Sequence, residues 1–307
     1  MNLSSLISAL PGNISQGIIW GIMALGVFIT FKLLNFADLS VDGSFATGGA
    51  VTVILMLSGF NSGAALAIAF VAGLLAGLCT GLLHTLLGIP DILAGILTQI
   101  ALYSINLNIM DGKANTAISV DKYNLIISLR YIPKAICVGL IFAIVIIGIM
   151  YWYFGTEQGS AIRATGTNPA MAKAQGININ TMKVIALALS NGIVALAGGL
   201  LAQYQGFADI NMGRGAIVIG LAALIIGEVL CNALFKKKSN FIMTMSFVII
   251  GGILYYIIIG IVLWLKMPTN DLKLFTAIIV AIFLAVPYLR SQAKSSFRKA
   301  AKNGGAK

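Results

Sequence analysis

The side chains able to act on a solute are few and far apart: Asp38, Asp42, Asp209 and Arg214, each beside or within a strongly apolar stretch. Charge in such a setting is costly, so each of these groups needs either a function or a local partner. Together with the amides of Asn35, Asn191, Gln203 and Asn211 and the hydroxyls of Ser40 and Ser44, they could line the two ends of a path for a small polar molecule. They could equally cap interrupted helices and pair with one another. No Ser/His/Asp set or carboxylate pair is spaced for hydrolysis, and no G-x-x-x-x-G-K-[ST] phosphate loop occurs. The chain is therefore expected not to be an enzyme, to hold no metal and to carry no cofactor of its own. Cys79, Cys137 and Cys231 lie in separate apolar runs without C-x-x-C spacing and read as small packing residues. His84, the single histidine, reads as structural rather than as a pH sensor.

Membrane-spanning helices must position these groups. With 59% hydrophobic and 9% charged residues among 307, polar side chains are too few to cover a soluble core. Long runs without alternation argue against a transmembrane barrel, and a helix needs about 20 apolar residues to cross the hydrocarbon. The runs at 17–34, 41–57, 64–87, 92–107, 136–154, 184–204, 216–235, 241–265 and 272–289 are the candidates. Gly251 and Gly252 interrupt the eighth, so eight or ten crossings fit as well. The expectation is an all-α polytopic membrane protein with about nine transmembrane helices, some of them interrupted. Most glycines, including Gly198 and Gly199, sit inside apolar runs, where small residues let helices approach.

Basic residues favour the cytoplasm. Placing the polar connection at 155–183 inside also puts Lys32, Lys236 to Lys238, Arg290 and the tail at 291–307 inside, thirteen of the twenty Lys and Arg residues in all. This orientation sets the N-terminus outside and the C-terminus in the cytoplasm of a multi-pass plasma-membrane protein. The absence of Lys and Arg before residue 17 agrees with it and argues against a cleaved signal peptide. The net charge of +11 then follows from this bias and from attraction to anionic lipid, with no nucleic acid required.

An internal repeat divides the chain. Phe36-Ala37-Asp38-Leu39 recurs 171 positions later as Phe207-Ala208-Asp209-Ile210, and Gly21, Ala24 and Leu25 match Gly192, Ala195 and Leu196. Five runs separate the two starts, so the copies should face opposite ways, about 17–154 against 184–290, with Asp38 and Asp42 inside and Asp209 and Arg214 outside. Between the copies lies a polar, basic connection with a short helix of its own. Asn168 suits its cap, Pro169 its first position and Gly176 a left-handed end. Such a helix has little lipid to cover and is better placed for a grip by another protein.

Gly159-Ser160-Ala161-Ile162-Arg163-Ala164, followed by Gly166, Asn168, Ala172 and Gly176-Ile177-Asn178, resembles the cytoplasmic motif of permease subunits of ABC importers of the branched-chain amino-acid and ribose type. Asp38-Leu39-Ser40-Val41 with Gly43-Ser44 resembles an early motif of the same family, although Asp42 is an extra residue; Ile89-Pro90 before a new span is similar too. The resemblance covers nearly the whole chain, and 35–38 with the Gly-Ile-Asn-Ile run is most similar to a branch that takes up amino acids, aromatic ones included. It implies a single transmembrane permease domain whose short helix, with Arg163, Asn168, Pro169, Ala170, Met171, Ala172, Lys173 and Gly176, couples to cytoplasmic ABC ATPase subunits that bind ATP and Mg. It also implies a second permease copy, a homodimer before a heterodimer, and an extracytoplasmic binding protein for which the mixed charges of the 108–133 loop would suit docking. A sugar or nucleoside as solute, or ion-coupled secondary transport using Asp38 or Asp209, is the alternative.

Overall fold

A computed structural model describes residues 3–235 and 240–265, with isolated positions between 274 and 285. Most of the 272–289 run, Lys236 to Lys238 and the basic tail lie outside the described residues. In chain order the elements are α1 (Leu3–Val27), which continues as a π-helical turn and a half (Phe28–Leu33), α2 (Val41–Leu57), α3 (Ser62–Thr85), α4 (Asp91–Ile109), β1 (Asn115–Ala117), α5 (Ile132–Gly155), α6 (Glu157–Thr167), α7 (Pro169–Ala174), α8 (Ile179–Gln205), β2 (Phe207–Asp209), α9 (Ala216–Phe235) and α10 (Phe241–Trp264). The protein is an all-α polytopic membrane protein. Among the described residues, seven helices are long and apolar enough to cross a membrane: α1 with its extension, α3, α4, α5, α8, α9 and α10. α2, expected as a full span, has 17 residues and reaches only about 25 Å.

Burial separates a centre from a periphery. The apolar stretch of α1 is 83% buried and that of α8 is 67% buried, against 22% for α5, so α1 and α8 form the axis and α5 lies outside. The two central helices run antiparallel: Tyr204 Oη donates to the Gly12 carbonyl at one end, and Ser190 Oγ donates to the Gly26 carbonyl at the other. α3 packs on α8, and α10 packs on α1 in the same antiparallel sense. Exchanging α1 for α8 and α3 for α10 therefore maps one pairing onto the other.

Glycine makes these contacts close enough to exclude larger residues. A Cβ at Gly73 would lie 2.3 Å from the Asn191 carbonyl oxygen, and one at Gly77 2.2 Å from that of Leu187, on the α3–α8 seam. On the α2–α8 crossing, a Cβ at Gly48 would lie 1.8 Å from the Ala195 carbonyl oxygen. Lipid gives little hydrophobic drive for helix association, so this backbone-to-backbone contact supplies the dispersion energy that holds the bundle.

The cysteine reading needs correction. Cys231 is buried as a packing residue, but Cys79 and Cys137 are exposed on the outside of the bundle. His84 is held on both ring nitrogens and one ring edge: Nδ1 meets the Ile89 carbonyl at 2.9 Å, Nε2 meets Lys183 Nζ at 2.9 Å, and the ring packs edge-on against Phe36.

Candidate functional site

Neither copy of the repeated motif simply turns at a membrane face. After the π-helical end of α1, Asn35 takes a left-handed backbone (φ 55°) and the chain folds back to start α2. After α8, Gly206 (φ 81°) ends the helix, β2 follows, and a turn leads into α9. The two returning segments meet. Asp42, in the first turn of α2, accepts hydrogen bonds from the backbone N–H groups of Gly215 (2.8 Å) and Ile217 (2.9 Å). These are donors at the N-terminus of α9 that have no partner within their own helix, and a carboxylate suits them in charge and geometry. A Cβ at Gly213 would lie 1.9 Å from the Asp42 carbonyl oxygen, so glycine permits the approach.

The two segments, expected at opposite membrane faces, thus start from opposite ends of the bundle and converge where Asp42 meets the start of α9. Each segment re-enters the bundle between helices, which hydropathy does not reveal. Charge at the start of a helix is inexpensive there because another helix supplies its partner.

Asp38 forms a second polar centre, 2% exposed. Its carboxylate accepts from Ser40 N (2.9 Å), Ser40 Oγ (2.5 Å) and Asn191 Nδ2 (2.7 Å). Asn191 stands near the midpoint of α8, so the triad pins the start of α2 to the middle of the central helix. All three residues were expected along a solute path; the structure gives them to one another.

The other expected path residues divide. Asp42, Asn211 and Arg214 share one cleft of about 390 Å³ between α2, α4 and the turn before α9. α4 contributes Gln99, Ile100, Tyr103, Ser104 and Asn106 to the same cleft. Asn106 is 1% exposed, and neither its Oδ1 nor its Nδ2 has a hydrogen-bond partner among the described residues. Ser44 Oγ, on α2 but not on the cleft, is also buried and unpartnered among them. Asn35 is exposed at the far end of α1. Gln203 is used structurally, its Oε1 accepting from Ile126 N at 3.1 Å.

Asp209 lies in β2, which pairs antiparallel with β1 of the loop after α4, Asn115 opposite Asp209 and Ala117 opposite Phe207. The mixed charges of that loop partly satisfy each other, since Arg130 bonds Asp121. Glu228 pairs with Lys32 at 2.7 Å.

At the other end of the bundle, Asn168 Oδ1 accepts from Met171 N at 3.1 Å, Pro169 opens α7 and Gly176 has φ 80°, as the local signals require. α6, an eleven-residue helix capped by Thr156, precedes it and was not anticipated. A Cβ at Gly166 would lie 1.9 Å from the Leu33 carbonyl oxygen, so α6 abuts the π-helical end of α1. On α7, Met171 is 61% exposed whereas Ala172 is 3% exposed. Ala172 therefore seats the helix on its own chain, and the outward face is Pro169, Ala170, Met171 and Lys173. A hollow of about 300 Å³ beside it is lined by Ala164, Asn168, Met171 and Ile177. Arg163 stands away from α7, its guanidinium 5.8 Å from the centre of the Phe241 ring.

Residues 12–287 match the family described as branched-chain amino acid transport system / permease component. The chain is 37% identical over 297 residues to a tyrosine transport system permease protein of Clostridioides difficile, covering 97% of this chain and 96% of that one. It is 31% identical to an uncharacterized protein of Rickettsia prowazekii, over 92% of this chain and 98% of the other. An autoinducer 2 import system permease protein of Yersinia pseudotuberculosis is 29% identical over 68% of this chain and 58% of its own. No solved structure gives a significant match.

Proposed function

Since the chain belongs to the family of branched-chain amino acid transport system permease components, we propose that it is the membrane-spanning subunit of an ATP-driven importer that passes an amino acid, aromatic or branched-chain, into the cytoplasm. The observation that carries the reading is the end-to-end likeness to a tyrosine transport system permease. The site supports it with a cleft that holds both signs of charge beside apolar surface, at the point where the N-termini of α2 and α9 converge. Antiparallel α1 and α8 and the exchange-related pairing of α3 and α10 support two copies of one unit in opposite senses, a common plan for transporters.

In this reading the chemistry that supplies energy resides elsewhere. A cytoplasmic ABC ATPase binds ATP and Mg and seats on the outward face of α7 and the adjoining hollow. α6 transmits its movement to the end of α1 through the Gly166–Leu33 contact, because tightly packed elements move as rigid units. Two permease copies work with two ATPase copies, and an extracytoplasmic binding protein delivers the solute to the face that carries β1.

Reconstitution in liposomes with the ATPase and the binding protein tests the whole reading. Uptake of radiolabelled L-tyrosine or L-leucine that requires ATP on the ATPase side is the expected result. Uptake of D-ribose and no amino acid would move the solute to the sugar class. Uptake driven by an ion gradient without ATP would remove the importer assignment altogether.

A further inference from the structure

The geometry points to the cleft between α2, α4 and the turn before α9 as a holding site for an α-amino acid in its zwitterionic form, with Asn106 and Arg214 as the side chains that select it. The inference rests on the amino-acid reading above and adds the site and the residues to it.

A buried primary amide without partners is costly, by several kcal/mol in the apolar limit. Asn106 is such a group: both amide atoms are unpartnered among the described residues and closed to solvent, and the residue borders a cavity of about 390 Å³, so a rotation of the side chain is what would bring the amide to a solute there. A solute that offers both an acceptor and a donor would satisfy it. Arg214 sits exposed on the same cleft with no ion pair among the described residues, so its guanidinium is available to a carboxylate. Asp42 accepts two backbone N–H groups, and its remaining lone pairs can take an ammonium. The volume is within the range of about 300–1,000 Å³ for small-molecule sites, and Ile100 and Tyr103 give an apolar wall for the side chain. A neutral sugar would meet Asn106 but leave Arg214 without its counter-charge.

The test uses the full reconstituted complex with Arg214→Gln, Arg214→Lys and Asn106→Leu, measuring L-tyrosine uptake and the melting temperature of each purified complex. Loss of a charge-assisted or buried hydrogen bond to the solute should lower uptake by about 10-fold or more for Arg214→Gln and Asn106→Leu. Arg214→Lys should recover part of it. Asn106→Leu should melt no lower than the parent, since it removes an unpartnered amide from an apolar setting. Uptake within twofold of the parent in both variants would overturn the site while parental tyrosine import keeps the amino-acid reading intact. A lower melting temperature for Asn106→Leu would make Asn106 structural and overturn its selecting role. Import of D-ribose and no amino acid by the parent would overturn both.

Discussion

Replacing Gly213 by alanine tests whether the two returning segments depend on each other. The new Cβ would lie 1.9 Å from the Asp42 carbonyl oxygen, a backbone atom that cannot swing away as a side chain could. Relief to 3.0 Å, the shortest contact a real Cβ makes, already requires the turn and the start of α2 to separate by about 1.1 Å. Moved apart along the same direction, the Asp42 bonds to Gly215 and Ile217, now 2.8 and 2.9 Å, would stretch to about 4 Å, beyond hydrogen-bond range. Two charge-assisted bonds at about 1.5–3 kcal/mol each place the loss near 3 kcal/mol or more. On the scale of large soluble domains this corresponds to a fall of roughly 6 °C or more. Gly63→Ala is the control: it lies in α3, a Cβ there meets nothing within 4 Å, and alanine is the better helix former. Thermal unfolding of the detergent-purified protein, followed by size-exclusion chromatography after heating, reads both. Equal melting temperatures for Gly213→Ala and Gly63→Ala would refute the proposed dependence.

Met171→Glu on the outward face of α7 should strip the ATPase from the purified complex and leave the melting temperature of the permease near that of the parent, as measured by co-purification and unfolding together. Ala172→Glu should instead destabilise the permease itself, because a carboxylate would replace a methyl that is 3% exposed; a stable Ala172→Glu protein would contradict that packing. Asp38→Ala leaves Ser40 and Asn191 without their shared acceptor and should cost about 3 kcal/mol or more, read as a lower melting temperature. In a background with every cysteine replaced by serine, Lys113→Cys should react with an impermeant maleimide on intact cells and Met171→Cys only after permeabilisation; the reverse pattern would invert the orientation.

Local signals were legible in the sequence, and contacts between distant segments were not. The Asn168 cap, the Pro169 start and the left-handed Gly176 are decided within nine residues, so α7 could be read directly. The glycines of α3 and α8 were correctly assigned to helix contacts because nothing else suits them inside apolar runs. α6 was missed because its polar sequence looks like loop until Thr156 is recognised as its cap. Counting apolar runs set the aspartate segments at opposite ends, but it is blind to a chain that folds back, so their convergence was missed. Asn106 escaped notice as one amide in an apolar helix. Its signal is spacing: Gln99, Tyr103 and Asn106 are separated by four and three positions and share one face of α4.

The three-residue pairing of β1 with β2 has a mechanical consequence. Ile118 N donates to the Gly206 carbonyl and Ile210 N to the Ala114 carbonyl, so the pairing extends past both strand ends and clasps the joint between α8 and α9. A loop that would otherwise hang free thus becomes a strap buckled over the joint between the central helix and the turn beside the cleft. In the proposed importer, a protein docking on that surface would press on the strap and, through these hydrogen bonds, on the end of the central helix and the approach to α9, without reaching into the cleft.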